Sequence, residues 1–386
     1  MFSRRLPPHA EPNALSRAIV ALRAEGAPIA DLTDSNPTSA AIPYPDGLLT
    51  SLAATEGLTY EPHPFGLPSA RDAVAVDQLR RGARVDPAQV VLTASSSEAY
   101  SWLFKLLCNP GEAVLVPRPS YPLFEHLTAL EGVRAHHYSL EYHGRWAIDV
   151  DAIAAAPQDV RALLVVSPNN PTGSYLDEEE FQRLFRLCRE RRWALVADEV
   201  FADYPLDAAH PVTDIAARSD VLSFTLAGLS KSAGLPQLKL GWCIVGGPQP
   251  QRDAALAALE IIADSYLSVG TPVQVAAPRL LDAGASVRAA IQARTRRNLA
   301  MLRAAAGRYP ACELLRTEGG WSAVLRVPAT RSEEQLVLDL LRNERILVHP
   351  GYFFDFSHEA YLVVSLLPAP DLFEDAVERI LGFVSG

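Results

Sequence analysis

The chain has 386 residues, enough for two or three domains around a large core. Hydrophobic residues make up 49% and charged residues 21%, an ordinary globular balance, and the net charge of −10 argues against a broad nucleic-acid-binding face. The four cysteines, Cys108, Cys188, Cys243 and Cys312, are scattered without a close pair, which excludes a disulfide framework or a cysteine metal site as the leading expectation.

The start, Met1 to Pro8, carries no apolar core of the signal-peptide kind, and no later stretch is long and uncharged enough to span a bilayer. A cytoplasmic protein is expected. An amphipathic helix is predicted from Ala14 to Glu25, with one strand-like run before Pro45. Short apolar, β-branched runs then follow at Val90–Thr93, Ala113–Val116, Ala162–Ser167, Trp193–Ala197, Val221–Thr225 and Leu240–Val245. Runs of this length suit strands covered on both faces. Helical patterns lie between them. One opens with Asp177-Glu-Glu-Glu and closes with Arg189-Glu-Arg-Arg, acids first and bases last, as the helix dipole favours. The alternation predicts an α/β domain with a mostly parallel sheet. After about Ser286 comes a long helical stretch to Ala306. Strand-like Ser322–Val327, Arg345–His349 and Tyr361–Leu366 and a closing helix from Asp371 complete the pattern. The expected division is a large domain over residues 46–285 and a smaller α+β domain from residues 1–45 and 286–386.

Polar residues gather just after the predicted strands, where open α/β sheets bind ligands. Ser95-Ser-Ser-Glu follows the first and opens a helix, either an anion site or a plain serine cap with Glu98 completing a capping box. Tyr121 follows the second in Pro119-Ser-Tyr-Pro, Asn170 lies in Asn169-Asn-Pro-Thr-Gly, and Asp198 ends the fourth. Lys231 closes the series in Leu226-Ala-Gly-Leu-Ser-Lys-Ser-Ala-Gly. Singly these read as turn, cap or core residues; in this order they suit pyridoxal phosphate chemistry.

The combination resembles the fold type I pyridoxal-phosphate enzymes of the aspartate aminotransferase family, the class I/II aminotransferases, over essentially the whole length. The resemblance implies a large domain with a mostly parallel seven-stranded sheet between helices and a smaller α+β domain built from both termini. It implies pyridoxal 5'-phosphate held by Lys231 as an imine, with Lys231 moving the substrate's Cα proton. Asp198 would pair with the pyridine nitrogen, Asn170 with the phenolic oxygen, and Tyr121 would stack on the ring. Ser96, Ser97, Ser230 and Lys239 would hold the phosphate, and Tyr60 would reach the phosphate of a neighbouring subunit, implying a homodimer with shared sites. Ser35 and Asn36 align with a loop that closes over substrate. The substrates implied are an amino donor and a 2-oxo acid.

Four positions depart from the family pattern. Phe201 stands where a tyrosine usually donates to the phenolic oxygen, which predicts a raised imine pKa. Lys239 replaces a phosphate-clamping arginine, and Gly228 replaces a serine. Val363, in Tyr361-Leu-Val-Val-Ser, stands where an arginine usually forks onto the substrate carboxylate; Arg118, Arg326 and Arg331 are the candidate substitutes. A lyase or decarboxylase on the same fold is the alternative outcome. A ligand-sensing regulator is disfavoured, because only about 45 residues precede the large domain and the small domain uses them.

Overall fold

The computed structural model describes residues 2–6, 11–207, 215 and 220–386; Met1, Pro7 and Pro8 of the N-terminal stretch lie outside them. In chain order the first strands are β1 (Ala30–Asp31), β2 (Val90–Thr93), β3 (Ala113–Arg118), β4 (Arg134–Tyr142), β5 (Trp146–Ile148), β6 (Val160–Val166) and β7 (Ala194–Asp198). The remainder are β8 (Ser223–Gly228), β9 (Gly241–Gly246), β10 (Glu313–Leu314), β11 (Ser322–Arg326), β12 (Ile346–Leu347), β13 (His349–Pro350) and β14 (Tyr361–Ser365).

The large sheet runs β2-β9-β8-β7-β6-β3-β4-β5. Strands β8, β7, β6, β3 and β4 are mutually parallel, and β9 lies antiparallel between β2 and β8. Among the described residues the sheet therefore has eight strands where seven were expected. The chain turns at residues 143–145, His143 N–H donating to Arg145 C=O at 2.9 Å, and returns as the short antiparallel β5. Strands β2, β7, β8 and β9 are buried along their whole length because helices cover both faces. One face packs on Ala99, Leu103 and Phe104 of helix Ser96–Leu107, the other on Phe181, Leu184 and Cys188 of helix Glu178–Arg191. The latter helix has the capping box that its sequence promises: Asp177 accepts from Glu180 N–H at 2.8 Å, and Glu180 accepts from Asp177 N–H at 3.0 Å.

The terminal segments form a second core. Helix Ala14–Ala24 starts where Asn13 caps Ser16 N–H at 2.8 Å, and β1 pairs in parallel with β12. The antiparallel sheet β10-β11-β14-β13 packs on Leu336, Phe373 and Ile380. The expected boundary at Ser286 falls inside one 36-residue helix, Thr271–Ala306. Its Gly284 lies so close to the Lys231 loop that a Cβ there would stand 2.5 Å from Ala233 Cβ.

Candidate active site

Because β2, β3, β6, β7 and β8 point the same way, their C-terminal ends share one edge, and the residues after them surround a cavity of about 410 Å³. The small domain closes the other side through Trp321, Ser322, His349, Phe354 and Val363. Of the residues singled out by sequence, Ser35, Ser96, Ser97, Tyr121, Asn170, Asp198 and Lys231 line this cavity. Asn36, Tyr60, Ser230 and Lys239 do not. Lys239 is exposed after turn Pro236–Leu238 and adopts a left-handed conformation (φ 53°), and Tyr60 is 69% exposed.

Asp198 is the last residue of β7 and is buried. Its Oδ2 accepts the Tyr100 hydroxyl at 3.0 Å and its Oδ1 accepts Val200 N–H at 3.1 Å. Burial lifts its pKa from 3.8 to about 6, although Val200 N–H, Tyr100 and Lys231 all favour the charged form. Lys231 sits on the short helix Leu229–Ser232 after β8. Burial lowers its pKa from 10.5 to about 8, against the pull of Asp198. Its Nζ lies over the rings of Phe201 and Trp321, 5.2 and 4.7 Å from their centroids. The backbone beneath is tied down: Tyr204 hydroxyl donates to Lys231 C=O, and Arg288 Nη1 donates to Ser232 C=O at 2.8 Å.

Ser96 and Ser97 are the first residues of helix Ser96–Leu107, whose opening N–H groups have no intrahelical acceptor. Ser95 caps Glu98 N–H at 3.2 Å, but Glu98 Oε2 accepts from Ala94 N–H at 2.7 Å, one residue outside a strict capping box. This helix end is left as an anion cradle. Gly228 has a packing reason as well: a Cβ there would stand 3.0 Å from Gly241 Cα and 3.1 Å from Leu240 O.

Tyr100 and Trp321 are site residues that sequence reasoning missed. Tyr100 had a signal, since it lies four residues after Ser96 on the same helix face. Trp321 had none; the residue lines the cavity, and its buried Nε1 lacks an acceptor among the described residues. The Arg candidates all point elsewhere. Arg118 binds Asp355, Arg326 binds Glu313, and Arg331 binds Asp339.

A desolvated amine beside a buried carboxylate, with a helix N-terminus across the cavity, defines a site for an anionic, carbonyl-bearing cofactor on an α/β enzyme fold. The family described as aminotransferase class I and II matches residues 33–380, and the chain belongs to it. Its cofactor is pyridoxal phosphate, and it is a transaminase of that cofactor class. A glutamate–pyruvate aminotransferase of Haemophilus influenzae is 28% identical over 94% of this chain and 92% of its own length. An alanine aminotransferase of Mycobacterium tuberculosis is 28% identical over 94% and 87%. The solved alanine aminotransferase of Pyrococcus furiosus has the same fold, with a TM-score of 0.88 at 23% identity over 100% of this chain and 99% of its own.

The residues present fit the cofactor. A free amine can hold its carbonyl, a buried carboxylate can face its ring nitrogen, and unpaired helix N–H groups can receive its phosphate.

Proposed function

We propose that the chain moves an amino group between an amino donor and a carbonyl acceptor, the 2-oxo acid of its relatives being the reference acceptor, with Lys231 as the covalent anchor. The observation that carries this reading is the pairing of Lys231, drawn toward neutrality by burial, with Asp198 in one cavity. Bound there, pyridoxal phosphate supplies the electron sink and carries the amino group between the two half-reactions. Lys231 would hold the cofactor's carbonyl, and its free amine, lowered by burial to a pKa of about 8, would be the group to move the proton at the donor carbon. Asp198 would hold a proton on the cofactor's ring nitrogen, and Tyr100 and Val200 N–H hold Asp198 in place. Ser96 and Ser97 receive the phosphate at the helix end, and Ser230 and Lys239, outside the cavity lining, are assigned to the same group by resemblance. By resemblance, Asn170 would bind the cofactor's phenolic oxygen, Tyr121 would stack on its ring, and Ser35 and Asn36 would belong to the loop that closes over the substrate.

Substrate carboxylate recognition is atypical here, with Val363 in the wall of the cavity. The exposure of Tyr60 in the single chain supports a homodimer in which it completes the partner's site. The four free cysteines accord with a cytoplasmic setting. Among the described residues no single helix is long and apolar enough to cross a membrane. Lys231→Ala is the test. The cofactor-loaded variant should lose its visible absorption and its turnover; a variant still yellow and fully active would overturn the assignment. Product formed without transfer of nitrogen to the cofactor would favour a lyase, the activity named for one Arabidopsis thaliana relative, 27% identical over 61% of this chain and 52% of its own.

A further inference from the structure

The charges around the cavity limit what can fill it. Among the described lining residues the basic side chains are Lys231 and His349, and none is an arginine. Lys231 is taken up by the cofactor on the reading above. The His349 ring stacks on Phe353 with centroids 4.7 Å apart and planes 8° from parallel, and burial pushes its pKa down to about 4. It is a neutral imidazole at physiological pH.

The wall beside it is apolar. Val363 is 1% exposed and lies between Val324 and His349 in the small sheet. It packs in one cluster with Leu140, Trp146, Phe354 and Phe356. Leu123, Phe124 and Leu127 add to the apolar lining of the cavity. The nearby hydroxyls are partly engaged: Thr33 donates to Asp31, and Ser365 accepts from Leu367 N–H at 3.2 Å. Asp31 is close enough to His349 to act on its ionisation, and is itself paired with Arg23 at 3.8 Å, so it adds no cation at this end.

We propose that the substrate amine carries an uncharged, apolar substituent toward Val363 and Phe354, an arylalkyl amine in preference to an α-amino acid. A carboxylate lodged there would give up its water without gaining a cation. The carbonyl partner meets the same wall, so its matching form is an aldehyde or ketone. This rests on the aminotransferase reading for its chemistry, but the shape and charge of the wall do not depend on it.

The test titrates cofactor-loaded protein with 2-phenylethylamine and with L-phenylalanine, following loss of visible absorption. It then titrates with the unreactive pair 3-phenylpropan-1-ol and 3-phenylpropionate, following visible circular dichroism. The amine and the alcohol should half-saturate at concentrations at least about tenfold below their carboxylate counterparts, the loss that one uncompensated charged contact implies. L-phenylalanine or 3-phenylpropionate acting at equal or lower concentration would overturn the inference and leave the aminotransferase reading standing. If neither amine bleaches the protein while the alcohol still binds tighter, the inference holds and the aminotransferase reading fails. Failure of both unreactive compounds to bind at millimolar concentration overturns it as well.

Discussion

The buried carboxylate of Asp198 should make the cofactor-free protein less stable than a neutral variant at the same position. An acid whose folded pKa lies above its unfolded value costs nothing below the unfolded pKa, where both states are protonated. As pH rises through 3.8 the unfolded chain ionises first, and stability falls until about pH 6, beyond which the penalty is constant. A rise of this size is worth about 3 kcal/mol. Asp198→Asn removes the charge and keeps an acceptor for Val200 N–H and a partner for the Tyr100 hydroxyl. Some of the gain is returned, because Lys231 loses the carboxylate that holds its pKa up at about 8. A net gain of about 1 to 2 kcal/mol at pH 8, vanishing toward pH 4, is the expected outcome. Urea unfolding of the cofactor-free wild type and variant at both pH values measures it. Equal or lower stability of the Asn variant at pH 8 would refute the claim that this carboxylate is desolvated at a cost. The loaded proteins should rank the other way, since the asparagine has no charge to offer a cationic ring.

Three further perturbations have defined outcomes. Tyr100→Phe removes a donor from Asp198 and should raise its pKa by about one to two units. Cofactor affinity measured against pH would then shift its acidic limb upward by that amount, a displacement that a purely structural defect would not give. Phe201→Tyr restores a hydroxyl beside Lys231. The pH at which the visible absorption of the loaded protein changes should fall by about one unit; an unchanged titration would remove Phe201 from the electrostatics of the site. Glu333→Ala strands Tyr352 N–H and Tyr361 N–H, each now 2.8 Å from the carboxylate. It should cost about 2 to 4 kcal/mol in chemical denaturation, and a loss below about 1 kcal/mol would show that water reaches those groups.

The inner strands were legible because burial demands unbroken apolar runs, and the candidate site cluster because it hangs on their ends. Strand β4 escaped because it lies near the sheet margin. Its residues, Arg134-Ala-His-His-Tyr-Ser-Leu-Glu-Tyr, are largely polar, and only Tyr138 and Leu140 are buried. The sequence pattern marks only the part of helix Thr271–Ala306 after about Ser286, and Pro278 and Gly284 in the first part both argue against helix interior. Pro278 is nevertheless accommodated, and Gly284 is required by the contact with Ala233. Tyr100 shows the remaining limit: its helix position was readable, but its partner across 98 residues was not.

That long helix has a mechanical consequence. Near its middle, Arg288 holds the carbonyl of Ser232, beside Lys231. Further along the same rod, Arg294 holds the carbonyls of Ala40 and Leu367, and Asn298 those of Leu366 and Pro368. Ten residues of helix, about 15 Å, separate the first grip from the last, and the proline that weakens the rod lies outside that span. The terminal segments and the lysine loop are thus bolted to one axle. A swing of the small domain must either turn that axle, carrying Lys231 with it, or tear hydrogen bonds at one end, so access to the cavity and the placement of the lysine are mechanically one motion.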